Sequence, residues 1–572
     1  MSNINFKNIK DRQFDAIVIG SGASGGWAAK EFAEKGLKTL VLERGRNVEH
    51  VKDYPTTNMY PYEFDHRLET TYTDKQINPI ANSCYAYKED SQHFFVKDHE
   101  HPYIQEKEFD WIRGYQVGGK SLLWARQTQR WSEYDFQGPE RDGFAVDWPI
   151  RYDDIAPWYS YVERFVGISG NRDGLDTLPD GEFLPAFPLN PVEDHFRKSI
   201  QTKFKNRYII SARCAHLSKP EPIHIEQGRV QCQNRTLCQR GCPFGGYFSS
   251  NASTIPWALK TGNLTLRPHS VVHSIIYDDK AGKAIGVKVI DTESLEELDF
   301  FANVIFVNAA TLNTNLILLN SKSNRFPNGL GNDNDLLGKY VAFHNYTARI
   351  TAEYDGLLDY RTDGRNPAGG GYIPNFRNVR KQETDFLRGW AAGFGANRGN
   401  VQDRSGVGAE LKTSLLDNSK WGNWNVHSHM MAETIPKEGN TVWLDAQKTD
   451  KWGVPLLHIS IDYASDDWAR RDDYYEQMTA MYEAAGFTNI KTSNDPRRPG
   501  NDIHEMGGVR MGHDVKTSLL NRWNQLHQCQ NVYVTDGACM TSTGTQNPTL
   551  TYMALTARAV DHAVKSLKTG TI

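Results

Sequence analysis

Cysteine is scarce in this chain, with seven residues in 572, an odd number. That excludes a disulfide framework as the main tie of the fold. No run approaches the ~18 consecutive apolar residues of a membrane span, so no transmembrane segment is expected. An excess of one charge is missing too. Lys and Arg total 65 and Asp and Glu 69, a net −4, and a nucleic-acid partner, which needs a basic face, is excluded. Met1 to Asp15 is polar and lacks the apolar centre of a secretory signal. There is no internal repeat and no low-complexity tract. At this length one hydrophobic core does not suffice, so at least two core regions are expected.

What is present begins at Phe14. Phe14–Ile19 is an apolar run of strand formers, Gly20-Ser-Gly22-Ala-Ser24-Gly25 a turn, Trp27–Lys35 a helix stopped by Gly36, and Lys38–Leu42 a second strand. Gly20 permits the tight turn, Gly22 lets backbone approach a pyrophosphate, and Gly25 lets helix and strand pack closely. Free N–H groups at the helix start suit phosphate. Glu43 follows Gly25 by 18 residues, where an acid holds ribose hydroxyls. The pattern predicts a Rossmann-type dinucleotide site, which FAD and NAD both fit. Asn303–Asn308 and Asn531–Thr535 read as further strands of the same sheet, and Thr549–Lys565 as a helix.

A second glycine run, Gly114-Tyr-Gln-Val-Gly118-Gly119-Lys-Ser121-Leu122-Leu123-Trp124, would let backbone lie against a flat ligand. With it the chain resembles the glucose–methanol–choline family of FAD oxidoreductases. His504-Glu-Met-Gly-Gly-Val-Arg-Met-Gly512, Val532–Ala538 with Asp536-Gly537, Gln546-Asn547-Pro548-Thr549, Leu337–His344, and Asn440–Asp445 followed by Asp450–Pro455 are similar to family stretches, in the family's order. There are departures. Gly508 replaces the usual Thr, and Trp124 stands where many members have Asn. Leu123 stands where some members bond flavin covalently through His, so FAD is expected to be non-covalent.

The resemblance implies an α/β fold, a Rossmann-like FAD domain plus a substrate domain with a mostly antiparallel sheet capped by helices. It assigns Gly20, Gly22, Ser24, Gly25, Glu43, Arg44, Gly118, Gly119, Ser121, Leu122, Val272, Asp536, Gly537, Asn547 and Thr549 to the cofactor. The FAD domain is expected from 1–145, 226–335 and 500–572. The substrate domain is expected from 146–225, which reads as irregular and Pro-rich, and 336–499, whose short alternating runs such as Thr441–Leu444 and Leu456–Ile461 suggest antiparallel strands.

Alcohol oxidation removes a hydroxyl proton and a hydride from the same carbon, so a base must reach the hydroxyl while the carbon faces flavin N5. His suits the task because its ordinary pKa is near working pH. His504 and Asn547 are 43 residues apart, the spacing at which the family pairs its active-site His with His or Asn. His504 is assigned as base and Asn547 as the group that orients the substrate oxygen.

Cys232, Cys238 and Cys242-Pro243 form C-x5-C-x3-C-P. Thiolates so close can converge on one metal centre. Three suit a 3Fe–4S cluster, whereas zinc would want a fourth ligand such as Cys214 or His216. The spacing resembles that of catalytic subunits of bacterial FAD-dependent sugar dehydrogenases, including glucoside 3-dehydrogenases. The resemblance implies electrons passing from flavin through the cluster to an external acceptor such as cytochrome c. It also implies a small accessory subunit, and export to the periplasm bound to a signal-bearing partner, with a cytoplasmic enzyme as the alternative. The implied substrate is a sugar or glycoside secondary alcohol, C3 of a glucoside in particular. Trp421, Trp424, Asn425, His427 and His429 are candidate sugar contacts. Rival readings are a cluster-free FAD alcohol oxidase, a dehydrogenase acting at glucose C1 or gluconate C2, and a non-catalytic flavin-fold subunit.

Overall fold

The computed structural model describes residues 12–360, 370–400, 407–416, 421–493 and 498–572. Most of the polar N-terminal stretch, residues 1–11, lies outside the described residues.

Gln13–Ile19 and Thr39–Leu42 are almost wholly apolar, as strands buried on both faces must be. They lie parallel, Ile17 opposite Leu40. Glu297–Val307 pairs with the other side of Gln13–Ile19, Ile17 opposite Ile305. Cys529–Val534 comes next, with Val307 opposite Val534. Leu264–Arg267 extends the far edge. One sheet of eight strands thus draws on the start, middle and end of the chain, with Ser270–Asp278, Lys283–Asp291 and Gln525–Leu526 completing it.

Between the first two strands runs Ala23–Glu34, which packs against Thr549–Thr569 and Thr254–Lys260. Two glycines make this crossing possible. Gly20 sits at φ +96°, and a Cβ there would lie 2.4 Å from the Asn308 carbonyl oxygen. A Cβ at Gly25 would lie 2.1 Å from the Gly20 carbonyl oxygen.

The second layer is a seven-stranded sheet, antiparallel throughout, centred on Trp421–Glu433 between Trp390–Asn400 and Arg349–Tyr354. Helices Ser465–Ala484 and Pro191–Lys203 cover one face, burying Phe196, Ile350, Phe394, Met430, Tyr474 and Tyr482 in a core of their own. The Thr441–Thr449 and Pro455–Ser460 hairpin is antiparallel, as its alternation suggests, but lies outside this sheet. It forms a separate three-stranded sheet with Ile104–Gln105.

The stretch 146–225 is less irregular than its prolines suggest. It holds Tyr152–Val166 and Pro191–Lys203, both helices. Pro191 occupies the first helical position, where its missing N–H has no intrahelical partner to lose. Tyr152–Val166 packs on Thr549–Thr569, and its Phe165 stands edge-on to Trp27 at 5.4 Å, so this helix lies with the first sheet.

Gly25→Ala should force the turn and helix apart and cost about 1–3 kcal/mol, as overpacking does. Chemical denaturation would show it as a lowered midpoint, and an unchanged midpoint would mean that the turn yields freely.

Candidate active site

Three segments meet at His504. Asp502 and His504 lie just after the second layer's last strand. His344 begins the short strand His344–Asn345, paired with Glu433 and Ala432. Thr543 to Asn547 form the loop that enters helix Thr549–Thr569. The Asp502 carboxylate ties two of these segments, its Oδ2 accepting from the backbone N–H of His344 at 2.9 Å and of His504 at 3.1 Å.

The proton positions follow from the partners. His344 Nε2 lies 3.1 Å from the Thr543 carbonyl oxygen and 3.0 Å from that of Gly544. Carbonyls only accept, so Nε2 carries the hydrogen. Burial pushes the His344 pKa down to about 4, so the ring is neutral and its Nδ1 is a bare acceptor. His504 Nδ1 lies 2.9 Å from that atom and must donate to it. Burial, with the charge of Lys120 and the neighbouring His344, holds His504 well below the usual histidine range. A neutral ring that donates from Nδ1 carries an accepting lone pair on Nε2. That nitrogen is 3.4 Å from the Asn547 carboxamide nitrogen. The chain of three partners therefore delivers a histidine in the tautomer that a base needs.

The same three side chains, His344, Asp502 and His504, offer ligand atoms within 4.8 Å of one another. The 2.9 Å between the two ring nitrogens is a hydrogen bond, and Asp502 is engaged by two backbone donors. Burial, reinforced by Glu505, pushes the Asp502 carboxyl up to about 7.

A single cavity of about 810 Å³ joins this group to the glycine turn. Gly20, Gly22, Ser24, Glu43, Arg44, Gly119, Ser121, Val272, His504, Asp536, Gly537, Asn547 and Thr549 all line it. Gly25, Gly118 and Leu122 do not. Gly25 serves the helix crossing, Gly118 donates its N–H to Ser21 Oγ at 3.1 Å, and Leu122 is fully buried among Tyr54, Ile80 and Phe94. Glu43 accepts from the Ser21 N–H at 3.1 Å and the Gly45 N–H at 3.0 Å, fixing its carboxylate at the cavity wall. A Cβ on Gly22 would meet nothing within 4 Å, so the space over the turn is open. A cavity of this volume whose wall includes an open glycine turn, a helix N-terminus and a fixed carboxylate fits FAD.

The substrate-side candidates divide by strand parity. Along Trp421–Glu433 alternate side chains point to opposite faces. Trp424 is fully buried in the core under helix Ser465–Ala484 and has no access to the cavity. Asn425 is exposed and away from it. His427 and His429 line it, together with Tyr346 and Arg349 from the opposing segment. The Trp421 side chain lies outside the described residues. Residue patterning had no means of finding His344 as a partner of His504, although it ends the stretch Leu337–His344. Asp502, two residues before His504, carried no motif.

Cys232, Cys238 and Cys242 line a second, small cavity of about 30 Å³ with His216 and Tyr247. Cys238 also lines the large one, as do Thr236 and Leu237. Among the described residues no three of these thiols and His216 lie within 4.8 Å of one another, so they do not compose a single-ion zinc site. Cys214 is turned away, its Sγ 3.1 Å from Ser169 Oγ. Buried cations stand close by. The Arg126 guanidinium packs over the Tyr247 ring at 5.1 Å with Nε and Nη1 unpaired, and fully buried Arg229 leaves Nη2 unpaired. An unpaired buried donor costs roughly 1–3 kcal/mol, more when charged, a cost that an anionic group among these residues would offset. Burial pushes the Cys232 thiol up to about 11, against the pull of Arg126.

Residues 14–344 and 436–556 match the N- and C-terminal profiles described as GMC oxidoreductase. The chain is 25% identical over 97% of its length to the fructose dehydrogenase large subunit of Gluconobacter japonicus, covering 98% of that protein. It is 26% identical to 2-methyl-1,2-propanediol dehydrogenase of Mycolicibacterium austroafricanum, over 96% of this chain and 95% of the other. It is 24% identical to the gluconate 2-dehydrogenase flavoprotein of Pantoea cypripedii, over 95% and 92%.

With His504 held below the usual histidine range, lowering the pH through 6.5 should leave its base form intact. The acid limb of the rate profile should fall only at lower pH. His344→Ala removes the acceptor of His504 Nδ1–H and opens the site to water. The rate should drop by about 10–100-fold, and the acid limb should move up toward ordinary histidine values. A pH–rate profile of the variant superimposing on the parent's would show that His344 does not set the tautomer.

Proposed function

The chain belongs to the GMC oxidoreductase family, and from that premise we propose a dehydrogenase of a sugar or glycoside secondary alcohol. It is an FAD-dependent oxidoreductase acting on CH–OH groups of its donors. The observation that carries the proposal is the unprotonated Nε2 of His504, set beside the Asn547 carboxamide on the wall of the cavity that also holds the glycine turn.

FAD bound in that cavity supplies the two-electron acceptor that alcohol oxidation requires. Gly20, Gly22, Ser24 and Glu43 would hold its dinucleotide end, and Asp536, Gly537 and Thr549 would lie along the rest. Leu123 on the same wall offers no atom for a covalent flavin link, which supports non-covalent binding. His504 Nε2 takes the hydroxyl proton, and the carboxamide of Asn547 donates to the substrate oxygen and keeps it over the base. His344 holds the His504 ring in register and in its tautomer throughout. A hydroxyl-rich substrate is supported by the polar groups on the cavity wall, among them Tyr346, His427 and His429. The analogy favours C3 of a glucoside as the oxidised carbon.

The proposal extends to a 3Fe–4S cluster held by Cys232, Cys238 and Cys242, which would supply a one-electron outlet to an external cytochrome-type acceptor. Two observations support it: the three thiols line one small cavity whose Tyr247 ring carries the Arg126 guanidinium with its unpaired donors, and Cys238 also faces the main cavity. One relative is named a large subunit, in keeping with a small accessory subunit here. Residence in the periplasm through export with such a partner completes the proposal, with the cytoplasm as its alternative.

His504→Ala should retain the yellow chromophore but be bleached by anaerobic sugar at least ~100-fold more slowly; near-parental bleaching would remove His504 from the role. Purified protein should contain iron and acid-labile sulfide and show the EPR signal of an oxidised three-iron cluster. Cys238→Ser should still permit bleaching but transfer electrons to cytochrome poorly. Protein free of iron would leave the cluster-free oxidase reading.

A further inference from the structure

The wall that the antiparallel sheet lends to the large cavity holds a cation whose use the alcohol chemistry leaves open. Arg349 and His429 are directly opposed across the antiparallel pair Arg349–Tyr354 and Trp421–Glu433. Opposed residues share a face, and both line the cavity. The Arg349 guanidinium carbon lies over the Tyr346 ring, 4.7 Å from its centre. Its Nε is shut off from solvent and has no hydrogen-bond partner. Among the described residues no carboxylate lies within ion-pair distance of it, although most arginines with buried heads here have one, as Arg130, Arg213, Arg388 and Arg470 do. Tyr346 stands edge-on to His429 at 5.2 Å, so ring, imidazole and guanidinium form one wall. Burial, with the charge of Arg349, holds His429 down to about 3, so the imidazole there is neutral and the guanidinium is the wall's fixed charge.

We propose that Arg349 receives a carboxylate of the substrate, so that the alcohol oxidised here is carried by a sugar acid or a similarly carboxylated polyol. This rests on the oxidoreductase reading and narrows its substrate class. A planar guanidinium steadied on an aromatic face is pre-oriented to meet a carboxylate with two parallel N–H donors. A single guanidinium on this wall suits one negative charge better than a phosphate dianion. Beside His504 the Lys120 ammonium is already paired with Glu505 at 3.2 Å, so it is not left to receive a substrate anion. A carboxylated molecule would therefore enter in one orientation, acid toward Arg349 and hydroxyl toward His504. The distance is suitable. His344 pairs with Glu433 and Arg349 with His429, four residues apart on the shared strand, or roughly 13 Å of strand rise. A six-carbon acid and the arginine stem together span that.

The test uses holoenzyme with D-gluconate, D-glucuronate, D-glucose, methyl glucoside and glucose 6-phosphate. Two readouts are taken: the dissociation constant from perturbation of the flavin absorbance under conditions without turnover, and the rate of anaerobic bleaching. The expected result is tighter binding of at least one carboxylate than of its neutral counterpart. Arg349→Gln should lower the ratio of acid to neutral affinity at least about tenfold, the scale of a lost charge-assisted pair, and Arg349→Lys should restore part of it. Equal affinities for acid and neutral sugars, or an acid-to-neutral ratio that Arg349→Gln leaves unchanged, would overturn the inference even if neutral sugars bleach the flavin. Preferred binding of glucose 6-phosphate would overturn the choice of carboxylate. Arg349-dependent binding of an acid that fails to bleach the flavin would leave the inference standing and count against the oxidoreductase reading.

Discussion

The hydrogen bond between the two imidazoles, His344 Nδ1 to His504 Nδ1, is the interaction on which the rest of the site depends. Two neutral rings can share such a bond only if one donates and the other accepts. The choice is made at a distance, by backbone carbonyls of Thr543 and Gly544 that force the hydrogen of His344 onto its outer nitrogen. Burial is what keeps the pair from escaping the choice by taking up an extra proton. Desolvation penalises a charged imidazole, and both rings are held below the usual range. A base with a fixed lone pair is thus bought with backbone geometry rather than with a carboxylate partner. Asp502 touches the same two residues through their backbone N–H groups, and burial holds its own carboxyl up to about 7.

Geometry of this kind requires rigid supports on all sides. The loop that supplies the two carbonyls is continuous with Asn547 and the helix Thr549–Thr569, which packs on Ala23–Glu34 and so on the glycine turn. His344 comes from the second layer, whose strand Trp421–Glu433 also carries His427 and His429. The cofactor end, the base and the substrate wall are therefore parts of one packed body. In the same body Arg126, Arg229 and Arg349 each keep a buried donor unpaired among the described residues, and Arg126 and Arg349 both line the large cavity.

Much of this could be read along the chain. Phe14–Leu42 showed strand, turn, helix and strand because apolar run and glycine spacing are local properties, and Glu43 followed from its distance to the turn. His504 and Asn547 stood in motifs with fixed neighbours. The errors also have local causes. Trp424 was a candidate because an aromatic in a polar strand suits a sugar. Strand parity puts it on the helix-covered face, and parity has no meaning until it is known which face is covered. The prolines of 146–225 suggested irregular chain, but Pro191 begins a helix instead of breaking one.

The order of residues alone singled out the glycine turn, Glu43, His504, Asn547 and the trio of thiols, because each stands in a short-range spacing of particular side chains. Only the tertiary structure decided the tautomer of His504, the partnership with His344, the burial of Arg349 Nε without a partner among the described residues, and the face that each strand presents. Those depend on which distant groups desolvate one another and which donors are left without acceptors, and neither quantity exists until segments hundreds of residues apart are packed together.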